Sequence, residues 1–331
     1  MRDRLTRLRE QTDGFTVTPA QYLRVAYVAL GALTLIVLSG AAVRLTGSGL
    51  GCPTWPKCYG NVYPPLNTHA VIEFSNRVIT FPVSVAAGLA WVLALRRRPY
   101  RRDLAWLGGL LPLGVLAQAV LGGFTVKGAL DYGWVMGHFA LSMLILVVAV
   151  VLAWRAGREP DERGAAEGAP PDRTLVRSVR ALVGLGALTI FAGTAATAAG
   201  PHAGGSPGQK INRLDFDGRG TMDFVIHRHV EIAFVFSLAA LAVWYLARRR
   251  AAGPALTRPL TVLCVLLALQ GVVGLDQYET HLPAELVWVH VVLACLTWLS
   301  TLWAACAAGP LASQTAPSGE RRVAPAARVS A

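Results

Sequence analysis

Apolar residues along this chain come in blocks of about twenty, and charged residues stand mainly between the blocks. A helix needs about 20 apolar residues to cross the hydrocarbon core of a bilayer, so each block predicts one transmembrane helix. The chain is therefore expected to be an all-α polytopic membrane protein. The predicted spans are residues 23–45, 70–95, 104–126, 134–154, 181–200, 222–247, 259–276 and 286–307.

The placement of the charges changes the meaning of a strongly basic composition. A formal net charge of +12 on 331 residues would by itself suit a nucleic-acid-binding protein. Most of the Lys and Arg residues instead lie in the two terminal segments and in the segments between alternate spans, such as 96–102 and 248–258, as the positive-inside rule describes for cytoplasmic segments. We therefore expect a cell-membrane protein that contacts lipid and no nucleic acid, with both termini in the cytoplasm.

The second half of the chain repeats features of the first. Gln118 and Gln270 begin similar segments rich in glycine, and a histidine follows each after twenty residues, at His138 and His290. This spacing predicts two parallel-topology four-helix bundles made by duplication. The expected organisation is a cytoplasmic tail at 1–22, a first half at 23–154, a cytoplasmic linker at 155–180, a second half at 181–307 and a disordered cytoplasmic tail at 308–331.

Four polar positions of the repeat are expected to share one layer of the membrane. The segments FSNRV and VIHRHV align Asn76 with His227. Both residues are expected roughly 6–9 Å below the outer boundary, at the depth of His138 and His290, from the helical rise per residue. His227 and His290 then lie on different helices, as the two axial ligands of a heme iron do. His229 is turned about 200° from His227 and is expected to face elsewhere.

Other interpretations of these side chains stay open. A single histidine inside a membrane often does no more than hydrogen-bond a neighbouring helix. Zinc is the rival metal, although the sequence has no Cys-x-x-Cys or His-Glu-x-x-His spacing. Arg77 and Arg228 each follow a residue of the layer, and we expect them to bind heme propionates. The alternative is that both reach the lipid headgroups.

A loop rich in glycine, proline and aromatic residues follows the first span. It contains Cys52 and Cys58, and turn-forming prolines between them can bring the two sulfurs together. Because the outer side of a cell membrane permits disulfides, we expect a Cys52 to Cys58 bond. It is either a structural link within a short loop or a redox-active pair, and the spacing does not separate these two roles.

Five segments, TGSGLGCPTWPKC, HAVIEFSNRV, MGHFALSM, IHRHVEIAF and WVHVVLACLTW, together resemble heme A synthase, and the resemblance extends over residues 23–307. Members of this family oxidise a methyl group of heme O to a formyl group, giving heme A for cytochrome c oxidase. The resemblance implies that the incorporated oxygen comes from water. The resemblance implies a heme b cofactor held by His227 and His290. It also implies that heme O binds near His138, beside Glu73 as the catalytic carboxylate.

One position departs from the family pattern. Asn76 stands where many members have a second substrate-side histidine, and an amide is a poor iron ligand. His69 shares a helical face with Glu73 and Asn76 and could replace that ligand, although it lies about 10 Å higher along the axis. The alternative is a substrate heme bound by His138 alone. For Glu73, the alternative to a catalytic role is an ion pair with Arg77 four residues later.

Two further classes of function remain to be distinguished from the enzyme. A cytochrome b-type electron carrier could use the same histidine pair without modifying heme, but such carriers usually place hemes at both membrane faces. A transporter could use the internal repeat, but transporter sites commonly lie at the midplane. The expected partners of the enzyme are a heme O synthase, inferred from the pathway alone, and an unidentified electron acceptor. A homo-oligomer is left open.

Overall fold

The computed structural model describes residues 15–159, 172–216 and 220–309. Within these ranges the chain forms eight α-helices and no β-strand, and every helix is long and apolar enough to cross a membrane. The prediction of an all-α, multi-pass membrane protein is therefore confirmed. The helices are α1 (Pro19–Leu45), α2 (Thr68–Arg96), α3 (Arg102–Lys127), α4 (Tyr132–Ala156), α5 (Arg173–Ala199), α6 (Thr221–Arg249), α7 (Pro254–Glu279) and α8 (Ala284–Ala307).

Capping residues decide where the helices begin, and α5 is the clearest case. The sequence predicts a linker up to residue 180, yet α5 begins at Arg173. The side chain of Asp172 accepts hydrogen bonds from two backbone N–H groups of the first turn, which have no partner inside the helix. Thr18 and Gln21 form a capping box at the start of α1. The predicted tails and linker extend outside the described residues, over 1–14, 160–171 and 310–331.

Each half packs its four helices in a ring. In the first half, α1 and α3 both contact α2 and α4, so that α2 and α4 face each other diagonally across the bundle. The second half repeats this order, with α6 and α8 on the diagonal. Side chains that point inward from a diagonal pair share the centre of the bundle, where four-helix bundles hold ligands and cofactors.

Small residues allow the helices of the first half to approach closely. Ala26 and Ala29 of α1 are buried, as are Ala87 and Ala90 of α2. The hydroxyl of Tyr22 donates to the carbonyl oxygen of Ala90 at 2.9 Å. Such contacts are typical of helix association in lipid, where apolar side chains gain little by leaving the bilayer. Large apolar side chains on the outer surface include Leu35, Phe81, Trp106, Phe234 and Val272.

Helix α8 joins the two halves, since it contacts α1 and α4 as well as its own bundle. The indole N–H of Trp288 donates to the carbonyl oxygen of Leu38 on α1 at 3.2 Å. Deeper in the interface, the indole N–H of Trp298 donates to the carbonyl oxygen of Met143 on α4 at 3.2 Å. These directional bonds fix the position of α8 along its neighbours, which apolar packing alone does less well.

Matched helices of the two halves have nearly the same length, so their residues can be paired by counting from each helix start. α1 and α5 have 27 residues each, α2 and α6 have 29, and α3 and α7 have 26, while α4 has 25 and α8 has 24. This count pairs His138 with His290, as the sequence repeat does. On α2 and α6, however, it pairs Asn76 with His229, each the ninth residue of its helix.

Candidate functional site

Two histidines of the second half meet between the diagonal helices. The imidazole rings of His229 on α6 and His290 on α8 have centroids 6.2 Å apart and planes inclined by 72°. Metal bonds to imidazole nitrogen are about 2 Å long, so rings at this separation are compatible with one iron atom between them. Both side chains are half-buried, in the upper part of the bundle, within about 12 Å of the helix starts.

Hydrogen bonds hold both rings of this pair, and for His229 they also fix the tautomer. Nδ1 of His229 lies 3.1 Å from the carbonyl oxygen of Thr189 on α5. Because a carbonyl oxygen only accepts, Nδ1 must carry the proton, and Nε2 keeps a free lone pair. The side-chain amide nitrogen of Gln270 on α7 donates to Nδ1 of His290 at 3.1 Å and holds this ring in place. The N–H group that His229 donates to a carbonyl oxygen is the arrangement common among ligand histidines of metal sites.

His227 does not face His290, which corrects the expectation from the sequence. Its ring is exposed, and Nδ1 lies 2.6 Å from the carbonyl oxygen of Asp223 one turn earlier in the same helix. Two residues along a helix turn the side chain by about 200°, so only one of His227 and His229 can point inward. Arg228 lies on an exposed face and donates to Glu231 at 2.5 Å.

Glycines leave room for the imidazoles in both halves. A Cβ atom added at Gly193 of α5 would lie 3.0 Å from Cε1 of His229, and one at Gly274 would lie 3.4 Å from Cε1 of His290. In the first half, Gly122 has the same relation to His138, at 3.3 Å. Among the buried polar atoms of the described residues, Nδ1 of His138 has no hydrogen-bond partner. The histidines therefore stand in pockets that a methyl group would narrow.

The first half has a different pair of residues at the contact between α1 and α2, opposite His138. We call this contact, and the matching contact between α5 and α6, the corner of the bundle. Asn76 of α2 takes the place of His229, and Ser39 of α1 takes the place of Gly193, each by position within its helix. The hydroxyl of Ser39 donates to Oδ1 of Asn76 at 2.7 Å. The first half therefore presents one imidazole and one amide where the second half presents two imidazoles.

Glu73 is buried and belongs to a network that holds the loop between α1 and α2. Only 6% of its surface is exposed. Its Oε2 atom accepts from the backbone N–H of Cys52 at 2.6 Å, and its Oε1 atom accepts from Arg77 at 2.5 Å. The ion pair that the sequence offered as an alternative role for Glu73 is therefore present.

Arg77 binds the loop rather than standing free in the bundle. Its terminal nitrogens donate to the carbonyl oxygens of Cys52 at 3.0 Å, Thr54 at 3.1 Å and Pro56 at 3.3 Å, besides the bond to Glu73. A guanidinium with these partners has little capacity left for a heme propionate, the contact expected from the sequence. Its observed role is to fasten the loop to the first turns of α2.

The predicted disulfide is formed. Cys52 and Cys58 are bonded with an S–S distance of 2.00 Å and a Cα to Cα distance of 4.7 Å, and both residues are buried beside Ala70. Burial of both cysteines favours the structural role over exchange with a partner. His69, considered as a replacement ligand, lies 3.0 Å from the hydroxyl of Ser48 through its Nδ1 atom. That contact directs its ring toward the loop.

The metal-binding potential of the described residues is confined to pairs. Within residues 15–159, 172–216 and 220–309, no group of three or more His, Cys, Asp or Glu side chains could hold a metal ion. Heme iron asks for fewer protein ligands, since the porphyrin supplies four nitrogens. The second-half pair fits such a group, because hydrogen bonds hold both imidazoles and their ring centroids lie 6.2 Å apart.

These features define a class: a polytopic helical membrane protein whose two similar bundles carry facing polar side chains near one membrane surface. The chain belongs to the COX15-CtaA family, described as cytochrome oxidase assembly protein, whose family model matches residues 23–302. This match includes the whole of the six helices α2 to α7 and most of α1 and α8.

Individual relatives match over shorter parts. A heme A synthase of Lysinibacillus sphaericus is 34% identical over 131 residues, 39% of this chain and 42% of that protein. A heme A synthase of Shouchella clausii is 36% identical over 128 residues, 37% of this chain and 41% of that protein. A protoheme IX farnesyltransferase of Thermus thermophilus is 27% identical over 303 residues, 85% of this chain. The chain spans between 41% and 48% of the length of these three relatives.

Proposed function

We propose that this protein is a heme A synthase, which oxidises the methyl group of heme O to a formyl group with oxygen from water and supplies heme A for cytochrome c oxidase. The observation that carries the proposal is the oriented His229 and His290 pair between diagonal helices. The family and the names of the two heme A synthase relatives support the same assignment.

The second half is the site that we propose for a heme b cofactor. His229 and His290 would hold its iron, with Thr189 and Gln270 keeping the rings in place. This revises the ligand pair expected from the sequence by replacing His227. When bound, the cofactor would supply one-electron transfer. Glycine at position 193 keeps the space that the His229 ring needs.

The first half is the site that we propose for heme O. His138 would bind the substrate, since its buried Nδ1 atom lacks a partner and Gly122 leaves its ring accessible. Converting a methyl to a formyl group with oxygen from water releases protons as well as electrons, so the site needs a proton acceptor. Glu73 lies on α2 about one turn from Asn76 and is the carboxylate that we propose as this acceptor. Its bond to Arg77 would keep it oriented.

Membrane orientation and partners complete the proposal. The arginine-rich turns at 96–102 and 248–250 lie at the helix ends opposite the histidine layer, so the positive-inside rule would place the layer toward the outer face and both termini in the cytoplasm. A heme O synthase that hands over the lipophilic substrate is the partner we propose. The farnesyltransferase name of one relative agrees with that pathway. An electron acceptor is also needed.

Expression with a source of heme O tests the reaction. Hemes extracted from membranes are separated by chromatography and identified by mass. The protein should yield heme A or a hydroxylated precursor, while Glu73→Gln and His138→Ala should yield neither. The control is Glu231→Gln, an exposed carboxylate on α6 of the second half, which should leave the products unchanged.

The same experiment separates the enzyme from an electron carrier. A cytochrome b-type carrier needs the second-half pair alone and leaves heme O unmodified. Unchanged heme O, together with a normal content of heme b in the purified protein, would therefore refute the proposed reaction and favour the carrier.

A further inference from the structure

The two halves differ at one corner in two residues that touch each other. In the second half the corner consists of Gly193 and His229, and in the first half it consists of Ser39 and Asn76. Ser39 and Gly193 are each the twenty-first residue of their helices, and Asn76 and His229 are each the ninth. Two residues in contact therefore differ together between the halves, at matched positions of two similar bundles.

Space at this corner decides which side chain fits. A Cβ atom at position 193 would come within 3.0 Å of Cε1 of His229, closer than side chains normally approach. Ser39 has such a Cβ atom and also a hydroxyl, so an imidazole at position 76 would meet the obstacle that glycine removes in the second half. The shorter amide of Asn76 fits beside Ser39 and bonds to it.

The hydrogen bond also orients the amide. Oδ1 of Asn76 accepts from Ser39, and its Nδ2 atom donates no hydrogen bond to any of the described residues. Asn76 is half-buried, on the inward face of α2 and on the diagonal from His138 of α4. An amide nitrogen has two N–H donors and no lone pair to offer a metal. Its chemistry is that of a hydrogen-bond donor toward the space between α2 and α4.

We propose that the first half binds the substrate heme through His138 on one side only, and that Asn76, positioned by Ser39, donates a hydrogen bond to a small ligand on the open side of the iron. The inference rests on the proposed function, because it takes heme O as the occupant. Hydrogen-bond donors and access on the distal side of a heme decide whether it binds small ligands or only transfers electrons. One fold thereby provides an open site and a closed site.

Exchanging the corner residues tests the open coordination. In the oxidised protein purified with heme O, the heme bound by His138 should be high-spin and should bind added cyanide. The variant His138→Ala should lose this high-spin heme. The double variant Ser39→Gly, Asn76→His should convert this heme to a low-spin form that no longer binds cyanide. Asn76→His alone should convert it incompletely because Ser39 obstructs the ring, and Ser39→Gly alone should keep it high-spin.

Binding of fluoride to the high-spin heme tests the donor role. Asn76→Leu has a similar volume but no N–H group, so the dissociation constant for fluoride should rise about fivefold to tenfold, as for one lost hydrogen bond. Ser39→Ala should raise it less, because the amide remains but is no longer held. A change in fluoride affinity is a readout that loss of stability alone would not produce.

Three outcomes decide the matter. A first-half heme that is already low-spin in the unaltered protein overturns one-sided binding. A fluoride affinity that Asn76→Leu leaves unchanged overturns the donor role. In both cases heme A can still be formed, so the proposed function survives. If the unaltered protein binds no heme O, the proposed function and this inference fail together.

Discussion

The two bundles have almost the same helix lengths and packing but different side chains at their sites. Helix lengths, the ring of contacts and the glycines beside His138 and His290 are shared. The corner opposite these histidines is not, since the second half has an imidazole there and the first half has an amide bonded to a serine. A repeated frame keeps the position of a site, and a change of two touching residues is enough to alter its chemistry.

The loops above the two bundles differ as well. The loop after α1 is closed by the Cys52 to Cys58 disulfide and fastened by Glu73 and Arg77. In the second half, Ile226 and Val230 stand at the matching positions of α6, counted from the helix start. The acidic group proposed for catalysis and the fastened loop therefore occur together, in the half that we assign to the substrate.

The largest effect is expected from removing the inward-facing histidine of α6. His229→Ala should abolish the low-spin heme b spectrum of the purified protein, because one axial ligand is lost. His227→Ala is the matched control, since it lies two residues earlier on the same helix with its ring exposed, and it should retain the spectrum. A spectrum lost in His227→Ala but kept in His229→Ala would restore the assignment expected from the sequence.

A smaller effect is expected from filling the glycine space beside that histidine. Gly193→Ala should lower the heme b content or shift the low-spin spectrum, because the added methyl lies 3.0 Å from the His229 ring. Gly184→Ala on the same helix meets nothing within 4 Å and should be harmless, or stabilising by up to about 1 kcal/mol through helix propensity. Equal spectra for both variants would show that the ring has room to move.

The fastened loop of the first half gives a third comparison. Arg77→Ala removes bonds to three loop carbonyl groups, so added reductant should cleave the Cys52 to Cys58 bond several times faster. Mass spectrometry of the loop peptide follows the reaction. Arg228→Ala in the second half is the control and should not change the rate. An unchanged rate in Arg77→Ala would mean that burial beneath the loop protects the disulfide without the arginine.

The smallest effects concern the first helix of each half. Thr18→Ala should lower stability by about 1 kcal/mol through loss of the α1 cap. Asp172→Ala should lower it somewhat more, because Asp172 caps α5 and also pairs with Arg250. Thermal unfolding in detergent measures both. A larger loss for Thr18→Ala would show that the ion pair of the second half contributes nothing.

Features that depend on local pattern were predictable from the sequence, and those that depend on side-chain direction were less so. The eight spans follow from apolar length, and the disulfide follows from a short loop. His138 and His290 were matched correctly because a glutamine precedes each at the same spacing. His227 was paired with Asn76 because SNR and IHR look alike, whereas counting from the helix starts pairs Asn76 with His229.

Contacts between helices distant in sequence explain the rest. Ser39 was not predicted because a serine in an apolar span is common, and its partner lies 37 residues away. The glycines beside the histidines were recognised from the sequence only as part of a repeat, and their role in leaving space for the rings was not predicted. The spacing of Gly122 to His138 equals that of Gly274 to His290, and this regularity was a signal for the pockets. The bond from Cys52 to Glu73 needs the folded loop and has no sequence signal.

The hydrogen bond from Trp288 to Leu38 has a consequence for electron transfer between the two sites. Leu38 directly precedes Ser39, and Trp288 lies two residues before His290, so the corner of the first bundle and helix α8 of the second are in direct contact. Two redox centres arranged in this way would exchange electrons sideways, within one leaflet. The membrane potential would then have little influence on that transfer, since no charge crosses the bilayer between them.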